Sequence, residues 1–205
     1  MAESVKTVVI GAGGFGREVA WIASLCGIEV IGFCDDAPEK SSGSYGGLPL
    51  LGPIEAAARS LPQGTRFHVA VGVNATRRSL TTRAIACGLQ PVSIVAPTAV
   101  IAPNVEIGEG TFVGANAVLS VGVHVGNGVI INHLASIGHD VFIGDFAQIC
   151  PCAGLSGGVS IGEEALLGTN ASVVPLKRVG ARAVVGIGAI ALRDVADDDS
   201  IVRLR

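Results

Sequence analysis

The chain has 205 residues, of which 49% are hydrophobic, 15% charged and 4% aromatic, with 29 glycines and a mean hydropathy of +0.59. Sparse charge and high aliphatic content exclude a disordered polymer, and no uninterrupted apolar run reaches the roughly 18 residues of a membrane span, so no membrane insertion is expected. A formal net charge of −3 and a pI near 5.8 offer no basic face to a phosphate backbone, so nucleic acid is not an expected partner, although local sites for small anions remain open.

Met1 to Thr7 lacks the basic segment, apolar run and small-residue cleavage site of a secretory signal, so a cytoplasmic location is expected. Five scattered cysteines, Cys26, Cys34, Cys87, Cys150 and Cys152, read as small buried hydrophobes rather than a disulfide framework. Cys150 and Cys152 have no second Cys or His pair at zinc spacing, and no metal is expected.

Up to about Ile94 the pattern alternates between strand and helix. Lys6–Ile10 predicts a strand, followed by Gly11-Ala-Gly-Gly-Phe-Gly16 and a helix over Arg17–Cys26 that Gly27 stops. Glu29–Cys34 predicts a second strand ending in Asp35-Asp36, and Ser41–Gly47 a polar, glycine-rich loop. A helix over Ile54–Ser60, a strand over Phe67–Val73, a helix over Arg77–Cys87 and a short strand over Pro91–Ile94 complete an α/β unit of residues 1–94 with parallel crossovers.

From Val95 a six-residue period takes over and holds without insertion to Ile190: VAPTAV, IAPNVE, IGEGTF, VGANAV, LSVGVH, VGNGVI, INHLAS, IGHDVF, IGDFAQ, ICPCAG, LSGGVS, IGEEAL, LGTNAS, VVPLKR, VGARAV, VGIGAI. The first position is Val, Ile or Leu in all 16 hexads, and the fifth is Ala, Val or Thr in all but one, Lys177. Such a period describes a prism with short strands as walls and tight turns as corners, with positions one and five pointing inward and three hexads making one coil. Glycine at position two is expected to supply the unusual backbone angles of the corners. The regular stretch makes about five coils, stacked at the β spacing of about 4.8 Å. Residues 95–205 therefore form the second domain.

Three histidines lie in this repeat: His124 at position six, and His133 and His139 at position three, at outward corners. His139 is followed by Asp140, an acid able to hold one ring nitrogen and leave the other as a base. Eighteen residues on, Gly157 should lie one coil above His139, leaving room for a thioester carbonyl and presenting an N–H to a developing oxyanion.

The repeat (Leu/Ile/Val)-Gly-x-x-(small)-x resembles that of the hexapeptide acyltransferases, which implies a left-handed parallel β-helix. Gly11-Ala-Gly-Gly-Phe-Gly16, Cys34-Asp-Asp36, Val71-Gly-Val-Asn-Ala-Thr-Arg77 and Ile131-Asn-His-Leu-Ala-Ser-Ile-Gly-His-Asp140 together resemble the NeuD/PglD-type bacterial sugar acetyltransferases from end to end. The resemblance implies an α/β Rossmann-like N-terminal domain followed by an all-β helix. It implies His139 as catalytic base assisted by Asp140, Gly157 and Gly188 as acetyl-CoA contacts, and Asn132 near the acceptor. It also implies a homotrimer with acetyl-CoA bound between adjacent β-helices, so that active sites form between subunits.

A glycine pattern Gly11-x-Gly13-x-x-Gly16 with Asp35 about 20 residues on would by itself suggest NAD, but some 90 residues make only half of a dinucleotide fold, which suits a mononucleotide. By resemblance, Gly13, Gly14 and Phe15 lie at the diphosphate of a UDP- or GDP-sugar, Asp35 and Asp36 at its base or ribose, and Asn74 and Arg77 nearby. The same residues also have structural readings: Gly16 as helix–strand packing, Arg77 as a solvated helix charge. Phe15 stands where several relatives have histidine, Gln148 where some have a second one, and the sequence ends without the Gly-x-Pro-Ala tail usual in the family. The expected function is transfer of acetyl from acetyl-CoA to the amino group of a nucleotide-linked amino-deoxysugar. O-acetylation of a sugar or sialic acid is the nearest alternative; an NAD-binding or scaffold protein with an oligomerising solenoid is the alternative of another class.

Overall fold

The computed structural model describes residues 6–37 and 44–202, and its contacts divide the chain into two compact units, 1–94 and 95–205. The first unit opens with β1 (Thr7–Ile10), whose four residues are all buried. β1 is a central strand, paired in parallel with β2 (Val30–Cys34) and β5 (Arg66–Val69). With β6 (Gln90–Pro91) the sheet order is β2-β1-β5-β6. Between β2 and β5 lie a small antiparallel hairpin, β3 (Ser44–Tyr45) and β4 (Leu48–Pro49), and α2 (Ile54–Ala58). The hairpin occupies part of the stretch expected to be loop; residues 41–43 of that stretch lie outside the described residues.

α1 spans Gly14–Leu25 and buries Gly16, Val19, Ile22 and Ala23, one face at helical spacing. It starts three residues earlier than expected, because the last two glycines of the fingerprint belong to the helix. Gly16 is required by packing: a Cβ there would come within 1.9 Å of the Gly11 carbonyl oxygen. Gly27, at φ +72, closes α1 in the left-handed conformation favoured past helix ends. α3 spans Asn74–Ala86, so the expected third strand ends at Val69 and the chain turns through residues 70–73 into a longer helix. The expected strand over Pro91–Ile94 divides in two, since Ile94–Val95 opens the solenoid instead.

The second unit is a left-handed parallel β-helix of about six turns. Its walls are ladders of two-residue strands, seven in the first wall (Ile94–Val95 to Ser200–Ile201), six in the second (Val100–Ile101 to Ile190–Ala191) and five in the third (Glu106–Ile107 to Arg178–Val179) among the described residues. Each strand joins position six of one hexad to position one of the next, and residues 18 apart pair in parallel register, as Ser136 does with Gly154 and Ile137 with Leu155. Positions one and five stack into a single apolar core from Val113 to Val195. Thr111, a polar residue in that core, donates its hydroxyl to the Gly126 carbonyl (2.9 Å) and accepts from the Val129 N–H (3.2 Å), so its burial leaves no unsatisfied group.

Two features differ from the expectation. The left-handed backbone angles fall at position four, on Asn116, Leu134, Asp140, Phe146, Cys152 and Glu164 among others, not on the position-two glycines. Those glycines answer to close approach: a Cβ on Gly162 would meet the Ala181 nitrogen at 2.4 Å. The solenoid also continues past Ile190, because Val195 bridges to Val179 and Ser200–Ile201 pairs with Val184–Val185, 16 residues back instead of 18. The last coil is therefore two residues short.

Candidate active site

His139 and Asp140 form the corner between the second and third walls, following the strand Ser136–Ile137 and preceding Phe142–Ile143. Asp140 adopts φ +57, which turns its carboxylate back to the preceding ring. His139 Nδ1 lies 2.8 Å from Asp140 Oδ2. A carboxylate only accepts, so the proton of the neutral imidazole resides on Nδ1 and the lone pair on Nε2. Both side chains are well exposed, 64% and 71%.

Gly157 lies one coil further on, directly over this ring, for a Cβ on Gly157 would stand 2.4 Å from His139 Nε2. The expected room above the histidine is thus taken up by the imidazole edge itself. The coils are tied here by bonds from the Gly158 N–H to the His139 carbonyl (2.9 Å) and from the Leu176 N–H to the Gly157 carbonyl (3.0 Å). The Gly157 N–H meets no acceptor among the described residues. At some other corners of the solenoid the position-three N–H bonds to a side chain one coil on, as Asn127 does to Asp145 (2.8 Å) and Ala115 to His133 Nδ1 (2.8 Å). The imidazole Nε2 of His139 and the Gly157 N–H therefore share one corner.

Asn132 and Gly188 lie on the other edge of the second wall, at its corner with the first. Asn132 Oδ1 accepts from the neighbouring His133 N–H at 2.8 Å. Gly188 takes φ +64 and donates its N–H to the Thr169 carbonyl. Neither residue adjoins His139 within one chain. Gln148, on the first wall, points its amide nitrogen at Cys150 Sγ (3.6 Å), and burial pushes the Cys150 thiol up from its ordinary pKa.

In the first unit, Gly13 caps α1 in an extended conformation with no side-chain bond, and Cβ positions built on Gly13 and Gly14 meet nothing within 4 Å. Neither packing nor dihedral angle demands glycine there, so their bareness opens the helix N-terminus, with Phe15 beside it half-buried. Asp35 is drawn inward: its carboxylate accepts from the Ala12 N–H (2.8 Å) and the Ala37 N–H (3.0 Å), bracing the glycine loop. Arg77, expected near the ligand or in solvent, is 1% exposed and donates to the Val71 carbonyl (3.0 Å) and to Asn74 Oδ1 (2.9 Å). It holds the turn between β5 and α3 and presents no face to a dissolved molecule. Asn74 is its partner in that brace.

A cleft of about 300 Å³ opens at the carboxyl ends of β1, β2 and β5, between Ile10, Ile54, Val71 and Leu80, with Asp35 and Asp36 on its lining. Asp36 is engaged by Arg83, whose guanidinium also grips Glu55 through both carboxylate oxygens, at 2.8 and 2.9 Å. Hydrogen bonding from Arg83 holds the Glu55 carboxyl down at about 2, while burial pushes the Cys34 thiol up to about 12 and leaves it inert as a nucleophile. The Asp36–Arg83–Glu55 fork escaped the sequence reading because its members are far apart in the chain and belong to no motif.

An α/β unit with a bare helix N-terminus and strand-end cleft, followed by a hexapeptide β-helix with a histidine–aspartate pair on its corner, has the architecture of a two-domain acyltransferase. Residues 6–84 match the PglD N-terminal domain family. No match was found among curated protein sequences. Among solved structures, the chain is similar to a histidine-to-asparagine variant of perosamine N-acetyltransferase from Caulobacter crescentus in complex with CoA and GDP-perosamine, with 31% identity over 97% of this chain and 93% of the other and a TM-score of 0.91. It is also similar to the acetyltransferase domain of PglB from Neisseria gonorrhoeae in complex with acetyl coenzyme A, with 35% identity over 96% and 95% and a TM-score of 0.88. WeeI from Acinetobacter baumannii, at 24% identity over 98% and 97% with a TM-score of 0.90, shares the fold. The chain belongs to the NeuD/PglD-type family of sugar acetyltransferases of the hexapeptide-repeat superfamily.

Proposed function

We propose that the chain transfers acetyl from acetyl-CoA to the amino group of a nucleotide-linked amino-deoxysugar, with His139 as general base. The observation that carries this reading is the stacking of His139 Nε2 beneath Gly157, with Nδ1 tied to Asp140. The unprotonated amine attacks the thioester carbonyl; as the N–C bond forms, its proton passes to Nε2. The Asp140 carboxylate stabilises the imidazolium and the Gly157 N–H the tetrahedral oxyanion. Collapse breaks the C–S bond, and the CoA thiolate leaves with the proton His139 returns. No cysteine is needed as nucleophile, since a thioester already carries a good leaving group.

The named relatives support the two ligands: one was solved with CoA and GDP-perosamine, another with acetyl coenzyme A. In this chain the diphosphate is assigned to the N-terminus of α1 at Gly13, Gly14 and Phe15. Asn132 and Gly188, which one chain holds on the opposite edge of the second wall from His139, are assigned to a neighbouring copy's site. That wall carries exposed Val100, Val118 and Ile190, an apolar surface suited to self-association. A homotrimer with sites between subunits follows as part of the proposal. No described helix is long and apolar enough to cross a membrane, and an enzyme drawing on acetyl-CoA and nucleotide sugars is placed in the cytoplasm.

The test is a panel of UDP- and GDP-linked 4-amino sugars and free sialic acid with acetyl-CoA, read by thiol release. Turnover on a nucleotide-linked amino sugar and none on sialic acid is expected. The reverse pattern establishes O-acetylation instead.

A further inference from the structure

Resting on the reading of His139 and Asp140 as the proton-transfer pair, we infer that Gly122 is a positioning residue for that pair: its missing side chain is the seat that keeps the Asp140 carboxylate on the imidazole. Gly122 and Asp140 occupy position four of successive coils, 18 residues apart. A Cβ on Gly122 would stand 2.5 Å from Asp140 Oδ1, while the Asp140 Cγ and backbone nitrogen keep 3.6 Å. The other oxygen, Oδ2, is the one that meets His139 Nδ1 at 2.8 Å. The carboxylate therefore lies with one oxygen down on bare glycine and the other turned to the ring. Gly157 covers the same ring from the coil above, so the pair is built across three coils, with a glycine on either side.

Backbone conformation does not account for glycine at this position. Gly122 takes φ +70, but Asn116, Leu134, Phe146, Glu164 and Leu176 hold position four at φ between +54 and +61, so these corners accept side chains in the left-handed region. What sets residue 122 apart is the oxygen above it. The Asp140 backbone is pinned, since its N–H donates to the Val121 carbonyl (2.9 Å) and the Gly158 N–H donates to the preceding His139 carbonyl (2.9 Å). A methyl group at 122 is therefore relieved by turning the carboxylate about its Cα–Cβ bond, which swings Oδ2 off Nδ1. The carboxylate is 71% exposed and has no donor besides the ring among the described residues, so the shape of its seat decides where it points. With Oδ2 displaced, the proton is no longer fixed on Nδ1 nor the lone pair on Nε2, and the imidazolium formed during transfer loses its counter-charge.

Acetyl-CoA turnover by Gly122→Ala, Asp140→Ala and the double variant of the whole chain, each measured with its melting temperature, tests this as a cycle. Gly122→Ala should lower kcat by roughly tenfold or more, with KM for acetyl-CoA held within about threefold, because the interaction lost is made in the transition state. In the Asp140→Ala background there is no carboxylate to displace, and the same substitution should change kcat by less than about twofold. Gly128→Ala, at φ +61 beneath the Phe146 ring, imposes the same backbone strain away from the pair and should keep kcat within about twofold of wild type. Gly122→Asn repeats the cycle if the alanine variant fails to fold: it carries the same Cβ, and asparagine already holds the left-handed conformation at Asn116 and Asn170. Wild-type kcat in Gly122→Ala, equal losses with and without Asp140, or an equal loss in Gly128→Ala overturns the inference. Wild-type kcat in Asp140→Ala overturns the reading of the pair itself, and the inference with it.

Discussion

The imidazole of His139 occupies a slot that only glycine permits above it. A Cβ at position 157 would fall 2.4 Å from Nε2, so Gly157→Ala must push the ring aside and misalign it from Asp140. We expect kcat to fall about 10²-fold with melting temperature nearly unchanged, because an exposed ring moves without disturbing the core; steady-state kinetics beside a thermal melt checks both. The adjacency of His139 and Asp140 and the 18-residue step to Gly157 made this corner legible in the sequence. What the sequence could not reveal is how the side chains of the first unit spend their hydrogen bonds, so Asp35 and Arg77 carry structural duties that no spacing announces. His68 is a second residue of this kind, fully buried with Nδ1 on the Val92 carbonyl at 3.0 Å, its pKa lowered by burial to about 4. Between pH 6.5 and 4 the unfolded chain binds a proton that the native ring refuses, so stability is full above pH 6.5 and falls as pH drops through that window. About 3 kcal/mol is lost in all. Denaturant titrations at pH 7 and pH 4 should show this loss, and His68→Gln should diminish it; an unchanged difference between the two pH values would contradict the assignment.

At the scale of the coil, the hexad rule was readable because burial repeats: positions one and five build the core turn after turn, with Lys177 the exception at position five. The corner geometry was misread, since left-handed φ falls at position four, where Gly110, Gly122, Gly128, Gly158, Gly188, Asn116 and Asn170 carry a signal that Leu, Asp, Phe, Cys and Glu dilute and that the position-two glycines overshadow. Position-two glycines are kept for the approach of the next coil. Gly162→Ala, whose Cβ would meet backbone at 2.4 Å, should destabilise by about 1–3 kcal/mol. Gly154→Ala should be neutral or slightly stabilising, as its nearest neighbour is Ser172 Oγ at 3.7 Å. Thermal melts of the two variants separate close approach from backbone freedom, and equal losses would contradict this account. The shortened last coil escaped the period because Leu192–Asp194 breaks the count. Arg178 and Arg182 hold it through Asp197 and Asp198, whose carboxyls those guanidinium groups lower.

Taken whole, the proposed function separates recognition from chemistry: it assigns the nucleotide to the glycines at the helix N-terminus of the first unit and the proton transfer to a histidine on a corner of the second. The first unit was legible as half a dinucleotide fold, and the cleft at its strand ends was implied by that topology; the Arg83 fork at its rim arises only when α2 and α3 pack. Family membership fixes the reaction type, and the stacked corner fixes where the proposed proton transfer occurs. The most direct test is acetyl-CoA turnover by His139→Ala on the best nucleotide-linked amino sugar, measured with its melting temperature. We predict a kcat loss of about 10²- to 10⁴-fold with the fold intact; wild-type kcat in that variant would contradict His139 as the base.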